Sequence, residues 1–394
     1  MNSFFKLLEA SEKAKTAKGI THTPAEIAQQ PSLWLRTAEG LVGSKKSIFS
    51  FLKEGGLYGS KKSALIFSGA GTSEFIGTSV STGLRKALNR DVYSIPSTHF
   101  VTHPGSMLAA DNNYLFVSFA RSGNSPESVA TYDIIRKYYR HARQLVITCN
   151  KDGALAKRTD RDPNSYCIIL PEETNDRSLV MTGSFSTMAL TGLFLGTLND
   201  TDTFTSEVKR AAAGAARIIN DYSDMLAALC RRPFKRVSYL GSSNLFGTMQ
   251  ECHLKLMEMT EGKVACRFDS FLGLRHGPQV FINNECLIFA ALSENSRARR
   301  YELDLLQQLK KGRQGMAAVI ICAKADKEIL SLSPHTIELY PEGTAVSDDY
   351  RVLTDVVAGQ LLGLFKSLNL GHKPDSPSKT GVISRVVKGV TIYK

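Results

Sequence analysis

Two short stretches bring together groups that can hold an anion. "SGAGTSE" runs from Ser68 to Glu74 and "FARSGNSPES" from Phe119 to Ser128. Each leaves an apolar, strand-like run and enters a helix-like one. Hydroxyls and exposed backbone N–H groups at such a point suit a phosphate, because a helix N-terminus is an electropositive array of donors. Neither stretch is a nucleotide-triphosphate loop, since no Gly-Lys-Ser/Thr follows. Gly69-Ala70-Gly71 opens like a dinucleotide loop, but Glu74 stands where that fingerprint has its third glycine. A serine-rich turn after a strand is also a common helix cap. Cap and phosphate cradle therefore stand level on the residues alone; the occurrence of two such loops lifts the second reading to that level.

Strands must hold these loops. "ALIFSG" (Ala64–Gly69), "NNYLFVSF" (Asn112–Phe119), "QLVITC" (Gln144–Cys149) and "YCIIL" (Tyr166–Leu170) are short, continuous apolar runs, mostly separated by helix-like stretches. That alternation predicts parallel strands buried on both faces, joined by crossover helices. In such an open sheet, ligands bind at the carboxyl ends of the strands, where both loops sit. The pattern restarts at "RVSYLG" (Arg236–Gly241) and continues through "ECLIFAAL", "AAVIIC" and "TIELY" to a helical run over Asp349–Leu368. Residues 1–40 read as helical, with Thr23 as a cap, Pro24 in the first turn and Glu26 three after the cap.

The restart is a repeat. "GTSEFIGT" begins at Gly71 and "GSSNLFGT" at Gly241, an offset of 170 residues. "FARSGNS" is matched by "FAALSENS", pairing Asn124 with Asn295, so that Arg121 and Gly123 become Leu292 and Glu294. The first loop has kept something the second has lost. The expected organisation is α/β: a helical segment over 1–44, one unit over 45–205, a second over 215–370, and a tail over 371–394. The linker falls in the alanine-rich "RAAAGAARIIN".

Composition narrows the function. The chain has 394 residues, 43% hydrophobic and 22% charged, ordinary for a globular protein of a few domains. Net charge is +12, but the Lys and Arg are dispersed apart from short clusters at Ser296–Arg300 and Leu309–Arg313. Without a basic stripe, nucleic acid is not an expected partner, and the charge reads as solubility plus attraction for an anion. Seven cysteines lack CxxC spacing, which argues for reduced thiols in the cytoplasm. Eight histidines form no HxH or HExxH, so no metal is expected. The N-terminus lacks a signal-peptide pattern. The uncharged stretch Ser178–Asn199 holds seven Ser/Thr and three Gly, which predicts a buried helix rather than a membrane span. The adjacent Cys252-His253 pair is a poor nucleophile and base, because neighbours rarely orient each other.

"GAGTSEFIG" together with "ARSGNSPES" resembles the sugar isomerase (SIS) domain, whose members bind phosphosugars with Ser/Thr-rich loops after parallel strands. Two tandem copies resemble the isomerase half of glucosamine-6-phosphate synthase. "KLMEMTEGKVACRFDSFLGLRHGP" (Lys255–Pro278) is similar to that family's segment, and "SRVVKGVTIY" is similar to its C-terminal one. The synthase's glutamine-hydrolysing half has no counterpart, the first cysteine being Cys149. The chain is most similar to stand-alone double-SIS proteins of the AgaS type. The fold so implied is two tandem SIS domains, each a mainly parallel sheet flanked by helices.

The resemblance implies that Thr72, Ser73, Ser122 and Ser125 bind the phosphate, within loops completed by Gly71, Gly123 and Asn124. Arg121 stands where the synthase has a neutral amide; contact with the phosphate and pairing with an acid across a dimer both stay open. It implies that Glu258 moves a proton between C1 and C2 of the open sugar, assisted by Lys255. His276 would help open the ring from a partner subunit, and Lys388 would hold the open-chain sugar. The chemistry wants these types: isomerisation needs a base near both carbons, and an imidazole donates and accepts near neutral pH. Plainer roles compete. An isolated helical Glu is usually solvated, His276 before Gly-Pro could stabilise a turn, and Thr182 either lines the sugar site or packs a helix. The expected activity is conversion of galactosamine 6-phosphate to tagatose 6-phosphate and ammonia, without metal or cofactor, in a cytoplasmic homodimer or dimer of dimers. A plain ketose/aldose isomerase and a non-catalytic phosphosugar sensor are the alternatives.

Overall fold

The computed structural model describes every residue except Ser60, Lys61, Thr344, Lys388 and Lys394. The chain folds into two compact units. One comprises Leu33–Asp176, Gly183–Ser206 and Ile383–Lys394; the other comprises Met1–Ser32, Arg177–Thr182 and Glu207–Val382.

The first unit carries β1 (Ala64–Ser68), β2 (Val92–Ser94), β3 (Tyr114–Ala120), β4 (Arg143–Thr148) and β5 (Ser165–Ile169). All pairings are parallel, in the order β2-β1-β3-β4-β5. The second unit carries β6 (Arg236–Leu240), β7 (Ala265–Asp269), β8 (Cys286–Ala291), β9 (Ala317–Cys322) and β10 (His335–Glu338). Its order, β10-β9-β8-β6-β7, is the same topology read from the other edge. These are the two mainly parallel, helix-flanked sheets that the apolar runs and the repeat imply. The central β3 and β8 are buried at every residue, which is why they read as unbroken apolar runs. The edge strands β2 and β7 are absent from the sequence-based reading. β2 has three residues, and β7 ("ACRFD") has no fully buried position.

Local details differ from expectation in three places. First, Thr23 is not the cap: the helix Thr23–Ala28 has His22 at that position. Asp375 accepts the Thr23 hydroxyl at 2.7 Å and the Thr23 N–H at 2.8 Å. A carboxylate satisfies helix-start donors better than a hydroxyl. Glu26 turns instead to the Arg177 N–H and the Ser178 hydroxyl. Second, the alanine-rich connection is a helix, Thr201–Arg217, continued by a π turn over Ile218–Tyr222, as alanine's helix propensity favours. Third, β6 starts at Arg236 where β1 starts at Ala64, an offset of 172, not 170. Gly69 therefore matches Gly241. A Cβ on either would lie within about 2.5 Å of the backbone of the next helix, so each is glycine because that helix packs directly on it. Gly71 (φ 57, ψ −129) then matches Ser243 (φ 54, ψ −127), a strained conformation for serine.

The uncharged stretch forms the helix Gly183–Phe194, buried at all twelve residues. In the second unit, the helix Asp348–Asn369 is buried continuously from Tyr350 to Ser367. Among the described residues, no helix is long and apolar enough to cross a membrane. The latter helix carries Arg351, fully buried and 2.6 Å from the Asp355 carboxylate, with its other donors on the Leu292 and Ile321 carbonyls. Arg351→Met strands that carboxylate in the core. We expect a loss of about 3–5 kcal/mol, because breaking a buried pair leaves an uncompensated charge. Urea unfolding measures it.

Candidate functional site

In the first unit, the order β2-β1-β3-β4-β5 reverses direction between β1 and β3, the switch point where a ligand crevice opens. Both serine-rich loops leave the sheet there. After β1, Gly71 adopts a backbone that glycine tolerates best, and Thr72 and Ser73 open the helix Thr72–Leu88. After β3, Gly123 takes a positive φ of 65, and Ser125 precedes Pro126 at the start of the helix Pro126–Tyr138. Neither helix start has a side-chain cap: Ser125 does not cap its helix, nor is the helix after Gly71 capped.

The second loop is braced by a segment the sequence reading did not single out. Asn150 donates to the Ser122 carbonyl at 2.8 Å, and the Asn124 side chain accepts from the Ala154 N–H at 2.9 Å. The Leu155 N–H donates to the Gly123 carbonyl at 3.1 Å, and Ser122 Oγ accepts from the Asn124 N–H at 3.2 Å. Gly123 and Asn124 thus shape the turn while the Ser122 hydroxyl keeps its proton to donate. The sequence signal for this brace is the Asn-Lys-Asp-Gly turn directly after β4.

The second copy shows what such a loop does with an anion. Its Ser293 Oγ accepts from the Asn295 N–H, as Ser122 does from Asn124. Ser293 donates its hydroxyl to Asp348, and the Glu294 N–H donates to both Asp348 oxygens at 3.0 Å. Asn295 caps its own helix through the Arg297 and Ala298 N–H groups, each at 3.1 Å. The donors of the second loop are spent on the chain's own carboxylate.

Arg121 is buried, and its guanidinium donates to the Arg385 carbonyl at 2.6 Å. Thr182 is fully buried immediately before the helix Gly183–Phe194.

In the second unit, the helix Asn244–Met259 carries Glu251, Lys255 and Glu258 along one face, as spacings of four and three dictate. Lys255 Nζ lies 2.6 Å from Glu258 and 3.3 Å from Glu251. The side chains of Lys255 and Glu251 are 1% and 0% exposed, whereas that of Glu258 is 22% exposed. Burial penalises the ammonium, but the two carboxylates outweigh it and hold Lys255 above its ordinary pKa. The arrangement is a fixed cation with one acid sealed behind it and one reachable from solvent. Glu251 escaped the sequence reading, although its place four before Lys255 was a usable signal. Cys252 faces inward against Gly359, and burial pushes its thiol well up, which suits packing rather than attack.

His276 is exposed after the short helix Phe271–Leu274. Its backbone N–H closes a turn onto the Gly273 carbonyl at 3.0 Å, while its ring makes no hydrogen bond among the described residues. Lys388 lies outside the described residues. Among those described, no group of three or more His, Cys, Asp or Glu could hold a metal ion. The structure thus gathers Gly71, Thr72, Ser73 and Ser122–Ser125 at one switch point and Lys255 with Glu258 on one helix face. His276 stands on its own turn.

No family model matches the chain. Individual proteins do. The D-galactosamine-6-phosphate deaminase AgaS of Escherichia coli is 34% identical over 375 residues, 95% of this chain and 96% of that one. The solved tagatose-6-phosphate ketose/aldose isomerase of Escherichia coli is 31% identical, with a TM-score of 0.86 and 98% of both chains covered. A Clostridium novyi structure, described as a candidate enzyme of that same kind, is 35% identical, with a TM-score of 0.93, covering 98% of this chain and 99% of its own.

Proposed function

The chain belongs to the AgaS family, and on that footing we propose that it converts galactosamine 6-phosphate to tagatose 6-phosphate with release of ammonia. The observation that carries this reading is the buried Lys255 with Glu258 as its solvent-reachable acid. The phosphate is held by Thr72, Ser73, Ser122, Ser125 and the loop N–H groups, which fixes the far end of the sugar. The Ser293–Asp348 contact supports this role, because a matching loop in the same chain already holds an anion.

Ring opening comes first, with His276 moving a proton between the ring oxygen and the C1 hydroxyl. Glu258 then takes the proton from C2 as the C1 oxygen gains one, giving an enaminol. Returning the proton to C1 leaves an imine at C2. Water adds to that imine and ammonia departs, so the net step is a hydrolysis that needs no outside oxidant. Lys255 keeps a positive charge 2.6 Å from Glu258 and holds that carboxylate in place, and Lys388 contacts the open-chain sugar.

We place the protein in the cytoplasm as a homodimer or dimer of dimers, with SIS domains over 45–205 and 215–370. Support for assembly comes from the His276 segment, whose apolar Leu272 and Val280 are 46% and 89% exposed; a partner covering them would receive His276. Incubating the protein with galactosamine 6-phosphate and with glucosamine 6-phosphate, and assaying ammonia, tests the function. Ammonia from the galacto epimer is the expected result. Ketose formed from an aldose phosphate without ammonia makes the protein a plain isomerase instead, and binding without turnover makes it a sensor.

A further inference from the structure

Both serine-rich loops of the first unit have counterparts in the second, and those counterparts already hold acids of the chain itself. With β6 set against β1, Thr72 matches Asn244; with β8 set against β3, Ser122 matches Ser293 and Gly123 matches Glu294. Asn244 donates its side-chain N–H to Asp349 at 2.6 Å. Ser293 donates its hydroxyl to Asp348, and the Glu294 N–H reaches both Asp348 oxygens at 3.0 Å. Two consecutive carboxylates, at the start of the helix Asp348–Asn369, thus each take a donor from one of the two loops that flank the β6–β8 switch point.

Acids in a first turn usually answer the dipole of their own helix. Asp348 does more, because its oxygens accept a hydroxyl and a backbone N–H from a loop more than 50 residues away. Those are the donors that suit an oxyanion. A cation completes the seat: Arg351, fully buried, lies 3.4 Å from Asp348, while Asp355 holds its other guanidinium nitrogens. Arg299 pairs with Glu294 and donates to the Ser293 carbonyl at 2.8 Å. Glu302 accepts from the Ser293 N–H at 2.8 Å, and burial holds its carboxyl above the ordinary range, which lessens its repulsion of a neighbouring anion. In the first unit, among the described residues, no carboxylate of the chain is bonded to the Ser122 hydroxyl or the Gly123 N–H.

We infer that the second unit carries a self-liganded anion site: Asp348 sits where the matching loop of the first unit would receive an oxyanion, so the chain keeps one open phosphate site, and removing this carboxylate uncovers a second. The open first site rests on the function proposed above; the occupied second one does not. The seat also fixes the start of a long helix. That helix packs directly on the helix Asn244–Met259, since a Cβ on Gly359 would overlap Cys252.

Equilibrium dialysis of the full chain against radiolabelled inorganic phosphate, at fixed ionic strength, counts the sites. We expect one phosphate per wild-type chain and two in Asp348→Ala. Adding Ser293→Ala to Asp348→Ala returns the count to one by removing the hydroxyl donor of the vacated seat. Adding Ser122→Ala instead also leaves one, now in the second unit. Urea unfolding gives the matching energetics. Asp348→Ala should unfold at lower urea than wild type. Phosphate at about ten times its dissociation constant should then shift the folding equilibrium of Asp348→Ala about tenfold more than that of wild type, whereas chloride at equal ionic strength should not. Asp348→Ser vacates the same seat with a residue suited to a helix start, and serves if Asp348→Ala fails to fold. Two phosphates per wild-type chain overturn the inference, as does an equal count in wild type and both Asp348 variants. A second phosphate that persists in the Ser293→Ala/Asp348→Ala double variant also overturns it, because that ion sits elsewhere. If the wild type binds no phosphate, the proposed loops of the first unit fail, and the difference of one between Asp348→Ala and wild type still decides the second site.

Discussion

Glu258→Gln abolishes turnover while leaving phosphosugar binding in place. The amide keeps the shape of the carboxylate and still accepts from Lys255, so the helix face is little disturbed. What it loses is the carboxylate proposed to take the C2 proton and return it to C1. Removing a positioned general base costs about 10²- to 10⁴-fold in kcat. Inhibition by inorganic phosphate should stay near the wild-type value, because the two serine-rich loops proposed to hold phosphate belong to the other compact unit. Ammonia release measures the first quantity and competition with substrate the second. Turnover at the wild-type rate in Glu258→Gln would remove Glu258 from the role of base and leave it as a solvated partner of Lys255.

Lys255→Met is expected to unfold the protein far more readily. Lys255 and Glu251 are both sealed, and the ammonium is what compensates the Glu251 carboxylate. Removing it leaves a buried charge unpaired, at a cost of about 3–5 kcal/mol. The pH dependence separates this from a simple packing defect. Lys255 is held above its ordinary pKa of 10.5 by its two carboxylates, against the opposing effect of burial. Its folded form therefore binds the proton more tightly than the unfolded chain. The stabilisation is fully present below the unfolded value near 10.5 and is lost as pH rises through the higher folded value. The gap in unfolding free energy between wild type and Lys255→Met should be constant through neutral pH and narrow only in strong alkali. A gap that narrows below pH 9 would show that Lys255 carries no such pairing.

Much of the architecture was legible in the residues because burial leaves a composition. β1, β3, β4, β6, β8 and β9 lie within their sheets, so each had to be an unbroken apolar run. β2 and β7 form sheet edges, where one side of the strand has no partner; "ACRFD" carries two charges and no signal of its own. The repeat was visible as identities, but matching Gly71 to Gly241 slipped the register by two. Identity scores letters, whereas the fold repeats a geometry: the glycine against which a helix packs, then a residue of positive φ. Thr23 had a cap-like sequence, and Asp375 took its task, because a carboxylate brought by the fold outcompetes the local hydroxyl.

The candidate site divides in the same way. The residues alone dictate the alternation of strand and helix, the doubling of the unit, the two hydroxyl-rich exits from buried strands, and the spacing that sets Lys255 and Glu258 on one helix face. These are local or periodic properties, and the backbone's own geometry converts them into structure. Long-range packing sets the rest: Glu251 seals Lys255 from behind, Asp348 fills the second loop, and Arg121 donates to the Arg385 carbonyl. Each of these is a contact between charged or polar groups whose outcome depends on burial. Burial is fixed by how distant segments pack, so nothing in the neighbouring residues announces it.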